Sequence, residues 1–425
     1  MCSSDLKTKP IATTGAAETQ PFYSPDGKQI AFAVSDNPPS WSFAATINIV
    51  PAGGGKPRKV GSTPDSNPTL IGWSSDGKTI YFSEIWGTLS RLYAIDVPSG
   101  SITEVSKGNR TLSPPSLNWT KTMFGFRLEG LDSPPEAFVS KATAFAPVQV
   151  SDANAALPKL PLGKTELVHW KSSDGTEIEG FLTYPVDYRP GTHVPLLLVI
   201  HGGPSGVHLQ SFLPYAGSAY PLAAFASRGY AILRPNPRGS SGYGKEFRAS
   251  RKIWGDADFQ DLMTGVDDVI SMGVADPDRL GVMGWSYGGF MTAWTITHTH
   301  RFKAASMGAA ITNQVDNGGD SDLPGSTVDY FGTLQDQQDA YIEHSPIFHT
   351  KGVSTPLLIQ HGANDRTVPI SEAYEMYRAL KGQGVATRMM VLPRSGHGIG
   401  EPKLVLQVFE ENVNWFDKYL NVGIK

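Results

Sequence analysis

Cysteine is almost missing from this 425-residue sequence, with Cys2 as the single example. One thiol excludes an internal disulfide and any thiolate metal cluster. A strong charge of either sign is missing too. With 36 Lys and Arg against 40 Asp and Glu, the net charge of −4 leaves no footprint for nucleic acid or an anionic membrane surface. Neither is expected as a partner. The longest apolar run, Val194 to Ile200, falls far short of the ~18 residues that cross a bilayer, so the chain reads as soluble. Cytoplasmic, periplasmic and secreted locations all stay open, as does the oligomeric state. The opening Met-Cys-Ser-Ser-Asp-Leu is what GTG TGC TCT TCC GAT CT encodes, a string that looks like a sequencing adaptor read from a GTG start. A missing natural N-terminus is therefore expected, and the lack of a signal peptide says nothing about compartment.

What the sequence does have is length enough for two hydrophobic cores, and two contrasting textures. The first third carries Pro, Gly, Ser and short alternating apolar stretches, as small antiparallel strands joined by tight turns require. It also repeats. Ser24-Pro25-Asp26-Gly27-Lys28 leads into Ile30-Ala31-Phe32, and fifty residues later Ser74-Ser75-Asp76-Gly77-Lys78 leads into Ile80-Tyr81-Phe82. Ile47 to Val50 and Leu92 to Asp96 follow in matching positions. A weaker third copy runs from Trp119 through Phe124-Gly125-Phe126 to Val139, without the Asp-Gly turn. Periods of this size point to a β-propeller of about three blades over residues 1–155, with unrelated hairpins of a β-sandwich as the alternative. Propellers typically close with four to eight blades, so about three agree with a missing N-terminal portion.

Two prolines, Pro158 and Pro161, and no clear period mark a linker at about residues 153–163. Beyond it, over 156–425, strand-like runs at Val194 to Ile200, Tyr230 to Leu233, Leu280 to Met283, Pro356 to Ile359 and Arg388 to Leu392 alternate with helical ones. That alternation predicts a mostly parallel sheet flanked by helices. Phe259, Leu262, Met263, Val266, Val269 and Ile270 share one helical face and read as core. The last helix is expected to bury Val405, Phe409, Val413, Phe416 and Leu420 and to leave Glu410, Glu411 and Lys418 to solvent.

Chemistry concentrates in this second part. Gly284-Trp285-Ser286-Tyr287-Gly288-Gly289 follows a strand and precedes a helix. A nucleophile elbow needs that context, because the serine occupies a strained turn whose flanking positions tolerate almost no side chain. The Gly-x-Ser-x-Gly pattern alone is weak in a chain with 45 glycines; the strand before it and the helix after it give it weight. Ser286 is thus the expected nucleophile of an α/β-hydrolase, with a structural turn serine as the alternative. A serine hydroxyl requires a general base. Of ten histidines, His397 lies in Ser395-Gly396-His397-Gly398, after a late strand and before the last helix, and no histidine follows it. In this fold the order is Ser, Asp, His, so the orienting acid is expected at Asp365, just after the strand Pro356 to Ile359. The oxyanion needs two donors: the main-chain N–H of Tyr287, and that of Gly203 in the run His201-Gly202-Gly203-Pro204. His201 itself reads as a structural residue that holds this loop by a hydrogen bond. His298 and His300 stand two apart, which does not place both on one helical face as a metal pair requires; complementing the charge of a helix end explains them better. No metal and no cofactor are expected. The triplets Asn109-Arg110-Thr111 and Asn118-Trp119-Thr120 match the glycosylation sequon, a pattern common enough to carry little weight.

These motifs, together with Asn236-Pro237-Arg238-Gly239-Ser240 and Gly242-Tyr243-Gly244, resemble the prolyl oligopeptidase family, especially its acylaminoacyl-peptidase and dipeptidyl-peptidase-like branch. The likeness covers roughly residues 165–421. It implies a propeller before the catalytic domain, with seven or eight blades usual, and cleavage of short or N-acylated peptides through an acyl-enzyme on Ser286. It also implies substrate contacts at Arg366 and Val368. Many relatives place an arginine two residues after the catalytic aspartate to hold a substrate carbonyl; here Thr367 stands there and Arg366 one position earlier. Where some relatives have an oxyanion tyrosine, this chain has His201 and relies on backbone donors. No counterpart of the propeller Glu pair that anchors a dipeptidyl substrate's amine is seen. A carboxylesterase on the same triad and a non-catalytic propeller binding protein are the alternative readings.

Overall fold

Two turns with the same wiring open the first two sheets of the computed structural model, which describes residues 10–41, 44–157, 160–215, 219–249 and 254–421. In the first, Ser24 Oγ donates to Asp26 Oδ1 at 2.7 Å, Asp26 Oδ1 accepts Lys28 N–H at 3.0 Å, and Ser24 Oγ accepts Gln29 N–H at 2.9 Å. Ser74, Asp76, Lys78 and Thr79 repeat the three bonds at 2.6, 3.1 and 3.0 Å. Gly27 and Gly77 take φ of +70° and +71°, where a Cβ is unfavourable. The third copy has its own version of the turn. Asn118 Oδ1 accepts Thr122 and Met123 N–H at 2.8 and 3.1 Å, and Lys121 holds the left-handed position at φ +58°. Asn118 is therefore engaged in a turn. Cys2 and the opening hexapeptide lie outside the described residues.

Each turn starts an antiparallel sheet. Glu18–Tyr23, Gln29–Ser35, Ala45–Pro51 and Arg58–Gly61 form the first in chain order; Thr69–Trp73, Thr79–Trp86, Leu89–Asp96 and Ile102–Glu104 form the second. The third is built on Met123–Gly130 and Ser133–Lys141, with the short strands Ser116–Leu117, Val148–Gln149 and Thr111–Leu112 beside them. Alternation buries one set of side chains on each face. Ala31, Ile47, Trp73, Ile80 and Phe82 fill the space between the first and second sheets, and Tyr81, Leu92, Phe124 and Phe138 that between the second and third. Tyr81 meets Phe124 edge to face at 5.0 Å. These are blades of a β-propeller.

The chain divides into two compact units. The first runs to Leu157 and takes in Leu209–Ser211 and Ser241–Glu246; the second is the remainder. Within the first, Gly87 N–H donates to the Gly242 carbonyl at 2.7 Å and Gly244 N–H to Asp65 Oδ1 at 2.8 Å.

The second unit is one eight-stranded sheet, numbered here β1 (Thr165–Lys171), β2 (Glu177–Thr183), β3 (Val194–Ile200), β4 (Ala231–Asn236), β5 (Ala275–Trp285), β6 (Ala304–Gly308), β7 (Leu357–Gly362) and β8 (Thr387–Leu392), in the order β1-β2-β4-β3-β5-β6-β7-β8. The first three strands of that order pair antiparallel; all later pairs are parallel. Strand β6, Ala-Ala-Ser-Met-Gly, is wholly buried, with small side chains that periodicity and propensity overlook. The helices that frame the site are α1 (Ala257–Ser271), α2 (Tyr287–His298), α3 (Ile370–Gly382) and α4 (Pro402–Leu420). No helix among the described residues is long and apolar enough to cross a membrane.

Helix α4 corrects one expectation. Its buried face is Leu404, Val408, Asn412, Trp415, Phe416 and Leu420, whereas Val405, Phe409 and Val413 are only partly covered. The stripe is rotated because a polar residue sits at its centre. Asn412 accepts the Ser306 hydroxyl at 2.6 Å and donates to Gln360 Oε1 at 3.0 Å, tying α4 to β6 and β7.

Candidate active site

Strand β5 ends at Trp285 and helix α2 begins at Tyr287, leaving Ser286 alone to turn the chain. It does so at φ +62°, ψ −123°, a strained conformation for a residue with a Cβ. Ser286 N–H donates to the Gly308 carbonyl at 2.9 Å, and the Ser286 carbonyl accepts Phe290 N–H at 2.9 Å. The flanking glycines are required by space. A Cβ at Gly284 would overlap the Gly288 carbonyl, and one at Gly288 would overlap that of Ile200.

His397 and Asp365 reach this serine from two loops. His397 Nε2 lies 2.8 Å from Ser286 Oγ, and its Nδ1 lies 2.9 Å from Asp365 Oδ2. Asp365 follows β7 and is fixed from both sides, because its Oδ1 accepts the main-chain N–H groups of Thr367 and Val368, each at 3.0 Å. Burial alone would raise its pKa. Hydrogen bonds from His361 and His397 and from the main chain outweigh that cost and hold the carboxyl far below the usual carboxylate range. His361 lies beneath it, with Nε2 3.5 Å from Asp365 Oδ2 and 2.8 Å from the Val368 carbonyl. The two loops also join directly: Asn364 N–H donates to the Ser395 carbonyl at 2.9 Å. Trp285 Nε1 donates to the carbonyl of His397 at 2.7 Å, tying the histidine's loop to the elbow.

The two expected oxyanion donors belong to the helix that follows the serine and to the loop after β3. Tyr287 is the first residue of α2, where main-chain N–H groups have no partner within the helix. The His201-to-Pro204 loop follows β3, and a Cβ built on Gly202 would lie 3.4 Å from the Ser286 Cβ, which puts that loop directly against the nucleophile. His201 has its ring nitrogens 2.9 Å from the Gly202 carbonyl and 2.9 Å from Ser240 Oγ. Burial pushes its pKa down to about 4, so a neutral imidazole links the loop after β3 to the Asn236-to-Ser240 loop after β4. Arg366 and Val368 are brought to the same stretch as Asp365 but differ in exposure. Arg366 is exposed, with its carbonyl accepting Asp322 N–H at 2.8 Å, whereas Val368 is buried.

His298 needs a different account from the helix-charge one. Its ring stacks on Trp294 at 3.8 Å and its Nδ1 lies 2.9 Å from the Trp294 carbonyl, while burial lowers its pKa. Packing and a hydrogen bond hold it. Sequence reasoning missed Trp285, which occupies a position that the Gly-x-Ser-x-Gly pattern leaves unspecified. It also gave no role to His361, although the pair His361 and Asp365 sits across one strand-to-loop junction.

Fold and site together define an α/β-hydrolase with a serine at the elbow of its sheet. Residues 218–423 match the model of the prolyl oligopeptidase family. It is 35% identical to the uncharacterized peptidase YuxL of Bacillus subtilis (strain 168), over 60% of this chain and 39% of that protein. It is 26% identical to dipeptidyl-peptidase 5 of Porphyromonas gingivalis, over 95% of this chain and 59% of that protein. Among solved structures, the uncomplexed acylaminoacyl peptidase of Pyrococcus horikoshii superposes with a TM-score of 0.82 at 24% identity, covering 94% of this chain and 63% of that one. The chain thus spans between about two fifths and just under two thirds of the length of these proteins.

Proposed function

We propose that this chain is a serine peptidase that hydrolyses short peptides or N-acylated peptides through an acyl-enzyme on Ser286, with residues 156–425 as its catalytic domain and residues 1–155 as a partial propeller. The observation that carries the reading is the hydrogen-bonded series Ser286, His397, Asp365 on a nucleophile elbow, inside the stretch that the family model matches. Ser286 Oγ attacks the substrate carbonyl carbon while His397 Nε2 takes the hydroxyl proton. The carbonyl oxygen becomes an oxyanion that the N–H groups of Tyr287 and Gly203 stabilise. Collapse breaks the C–N bond, and His397 returns the proton to the departing amine. Water then attacks the acyl-enzyme, giving its proton to His397, and Ser286 leaves with that proton as the acid is released. Asp365 holds the imidazole in the tautomer this cycle needs and stabilises the imidazolium. Arg366, exposed on the same stretch as Asp365, belongs to the proposal as a substrate contact, whereas Val368, expected there too, is buried and instead holds Asp365 through its main-chain N–H.

The test is to assay the purified chain and its Ser286→Ala variant on matched aminoacyl anilides, acylated peptides and aryl esters. Peptide and anilide hydrolysis lost in Ser286→Ala is the expected result. Turnover of esters alone would establish the carboxylesterase instead, and equal rates for both proteins would rule out catalysis at Ser286.

A further inference from the structure

Helix α1 starts on a buried acid. Asp256 stands at its N-cap without a side-chain capping bond, and Asp258, two residues on, is completely buried. Asp258 Oδ1 accepts the main-chain N–H groups of Gly255 and Phe259, each at 2.8 Å. Its Oδ2 is bonded to the phenol of Tyr287. The next acid on the same face, Asp261, is matched by Arg238, whose Nη2 lies 2.6 Å from Asp261 Oδ1. Asp258 has no such cation among the described residues. Burial pushes its carboxyl up to about 8, against the lowering effect of its own hydrogen bonds. The phenol of Tyr287 is the donor in its bond to Oδ2, so this carboxyl is held by three N–H and O–H donors and, among the described residues, by no cation.

The Tyr287 ring is itself clamped. Trp254 meets it edge to face at 5.0 Å and Phe290 stacks on it at 6.0 Å, leaving it 1% exposed. The Ser286 carbonyl, which shares a peptide with the Tyr287 N–H, accepts Phe290 N–H, and Ser286 N–H, one peptide earlier, is held by the Gly308 carbonyl of β6. The Ser286–Tyr287 peptide is thus fixed at one end by β6 and at the other by a side chain whose tip is tied to α1. Donors aimed at a developing oxyanion lose their value when they drift, since their contribution depends on fixed geometry.

We propose that Asp258 is a positioning residue for hydrolysis, holding the Tyr287 side chain so that the Tyr287 main-chain N–H stays aimed at the oxyanion. The inference rests on the reading of Ser286 as nucleophile. Its test uses the full chain and five variants, Asp258→Ala, Asp258→Asn, Tyr287→Phe, the double variant Asp258→Ala/Tyr287→Phe, and Ser286→Ala, each assayed for kcat and KM on one aryl ester and one peptide anilide. Asp258→Ala is expected to lower kcat about 30-fold, a part of the 10²- to 10³-fold that loss of a whole oxyanion donor costs, with KM within about twofold. Asp258→Asn offers the phenol an N–H and keeps an oxygen for the two main-chain donors, so it is expected to recover kcat to within about threefold of the unaltered chain. Tyr287→Phe keeps the ring and loses only the hydroxyl, with about a tenfold fall in kcat expected. The double variant should be no slower than the slower single one, as two ends of one bond require. Unchanged kcat in Asp258→Ala, losses carried by KM, or losses that multiply in the double variant would each overturn the proposal. If Asp258→Ala does not fold, Asp258→Asn and Tyr287→Phe decide the matter: a slow Asn variant or a fast Phe variant overturns it. An inactive Ser286→Ala beside an unimpaired Asp258→Ala overturns this inference alone, whereas an active Ser286→Ala overturns the nucleophile assignment with it.

Discussion

Replacing Asp365 by asparagine isolates the carboxylate's charge from its role as a scaffold. The side chain's orientation is dictated by its surroundings, because Oδ1 already accepts two main-chain N–H groups, from Thr367 and Val368, at 3.0 Å. An asparagine must keep its oxygen there, since an NH₂ group facing two donors would leave all of them unpaired. Its Nδ2 then points at His397, where Oδ2 now stands 2.9 Å from Nδ1. Two donors cannot share that contact. The imidazole must move its proton to Nε2, the atom 2.8 Å from Ser286 Oγ, and in that tautomer it has no lone pair with which to take the serine's proton.

The lost attraction between carboxylate and imidazolium sets the size of the effect. For unit charges about 3–4 Å apart at an effective dielectric constant of about 20, it is roughly 4–6 kcal/mol. That corresponds to a fall in kcat of about 10³- to 10⁴-fold. Stability should change less than activity, because both main-chain bonds survive while the contacts of Oδ2 with His361 and His397 are lost, so Asp365→Asn is expected to melt a few degrees below the unaltered chain. Asp365→Ala, which abandons those two bonds, should lose stability as well as activity. Steady-state kinetics on an anilide, with melting curves on the same samples, measure both. An Asp365→Asn enzyme folded normally and within tenfold of the original kcat would refute the argument, since neither the tautomer nor the charge would then matter.

Two further predictions concern buried polar groups outside the triad. Asn412→Leu removes the partner of Ser306 and Gln360 while keeping the volume, so a loss of about 2–4 kcal/mol in stability is expected with kcat nearly unchanged, as urea unfolding and a rate assay will show. Glu372 is fully buried, accepts the Thr312 and Asn313 main-chain N–H groups through Oε2, and has its pKa raised well above the ordinary value chiefly by burial, with Asp316 and Glu375 adding to the shift. A raised carboxyl binds its proton more tightly folded than unfolded, so this group's contribution is fully present below the ordinary Glu range and erodes as pH climbs above it. Glu372→Gln should flatten that decline, and urea midpoints for the two proteins that run parallel from pH 5 to pH 8 would contradict it.

The sequence made the hydrogen-bonded series Ser286, His397, Asp365 legible because its signals are local or ordinal. An elbow is a short run of residues between a strand and a helix, and the acid and base follow it in a fixed order. Ser286 and His397 stand 111 residues apart, yet neither had to be located by distance. The blades were legible for a similar reason: the Ser24-to-Lys28 and Ser74-to-Lys78 turns carry the same side chains. The third turn was not, since Asn118 and Lys121 make equivalent bonds with different residue types. Strand β6 was hidden in turn, because its buried positions hold alanine, serine and glycine.

What supports the reacting atoms was illegible for one physical reason. Polar side chains are ordinarily assigned to solvent, and that rule fails wherever a polar group finds a partner from elsewhere in the chain. Asp258 meets Tyr287 across 29 residues, Glu372 meets Thr312 across 60, and Asn412 meets Ser306 across 106. Each was invisible to a pattern that looks three or four residues ahead. Asn412 even rotated the apparent face of α4, since a helix read by its apolar residues alone places the stripe one position away from the real one. These three bonds share a placement as well. Asp258 ties α1 to the start of α2, Asn412 ties α4 to β6 and β7, and Glu372 ties α3 to the segment after β6. Strand β6 supplies the Gly308 carbonyl that holds Ser286, and the loop that follows β7 carries Asp365. The long-range polar bonds therefore brace the same few strand ends from which Ser286, Asp365 and His397 are hung. A hydroxyl and an imidazole 2.8 Å apart need such bracing, because a shift of 1 Å undoes the contact, and apolar packing alone has no directional term to prevent it.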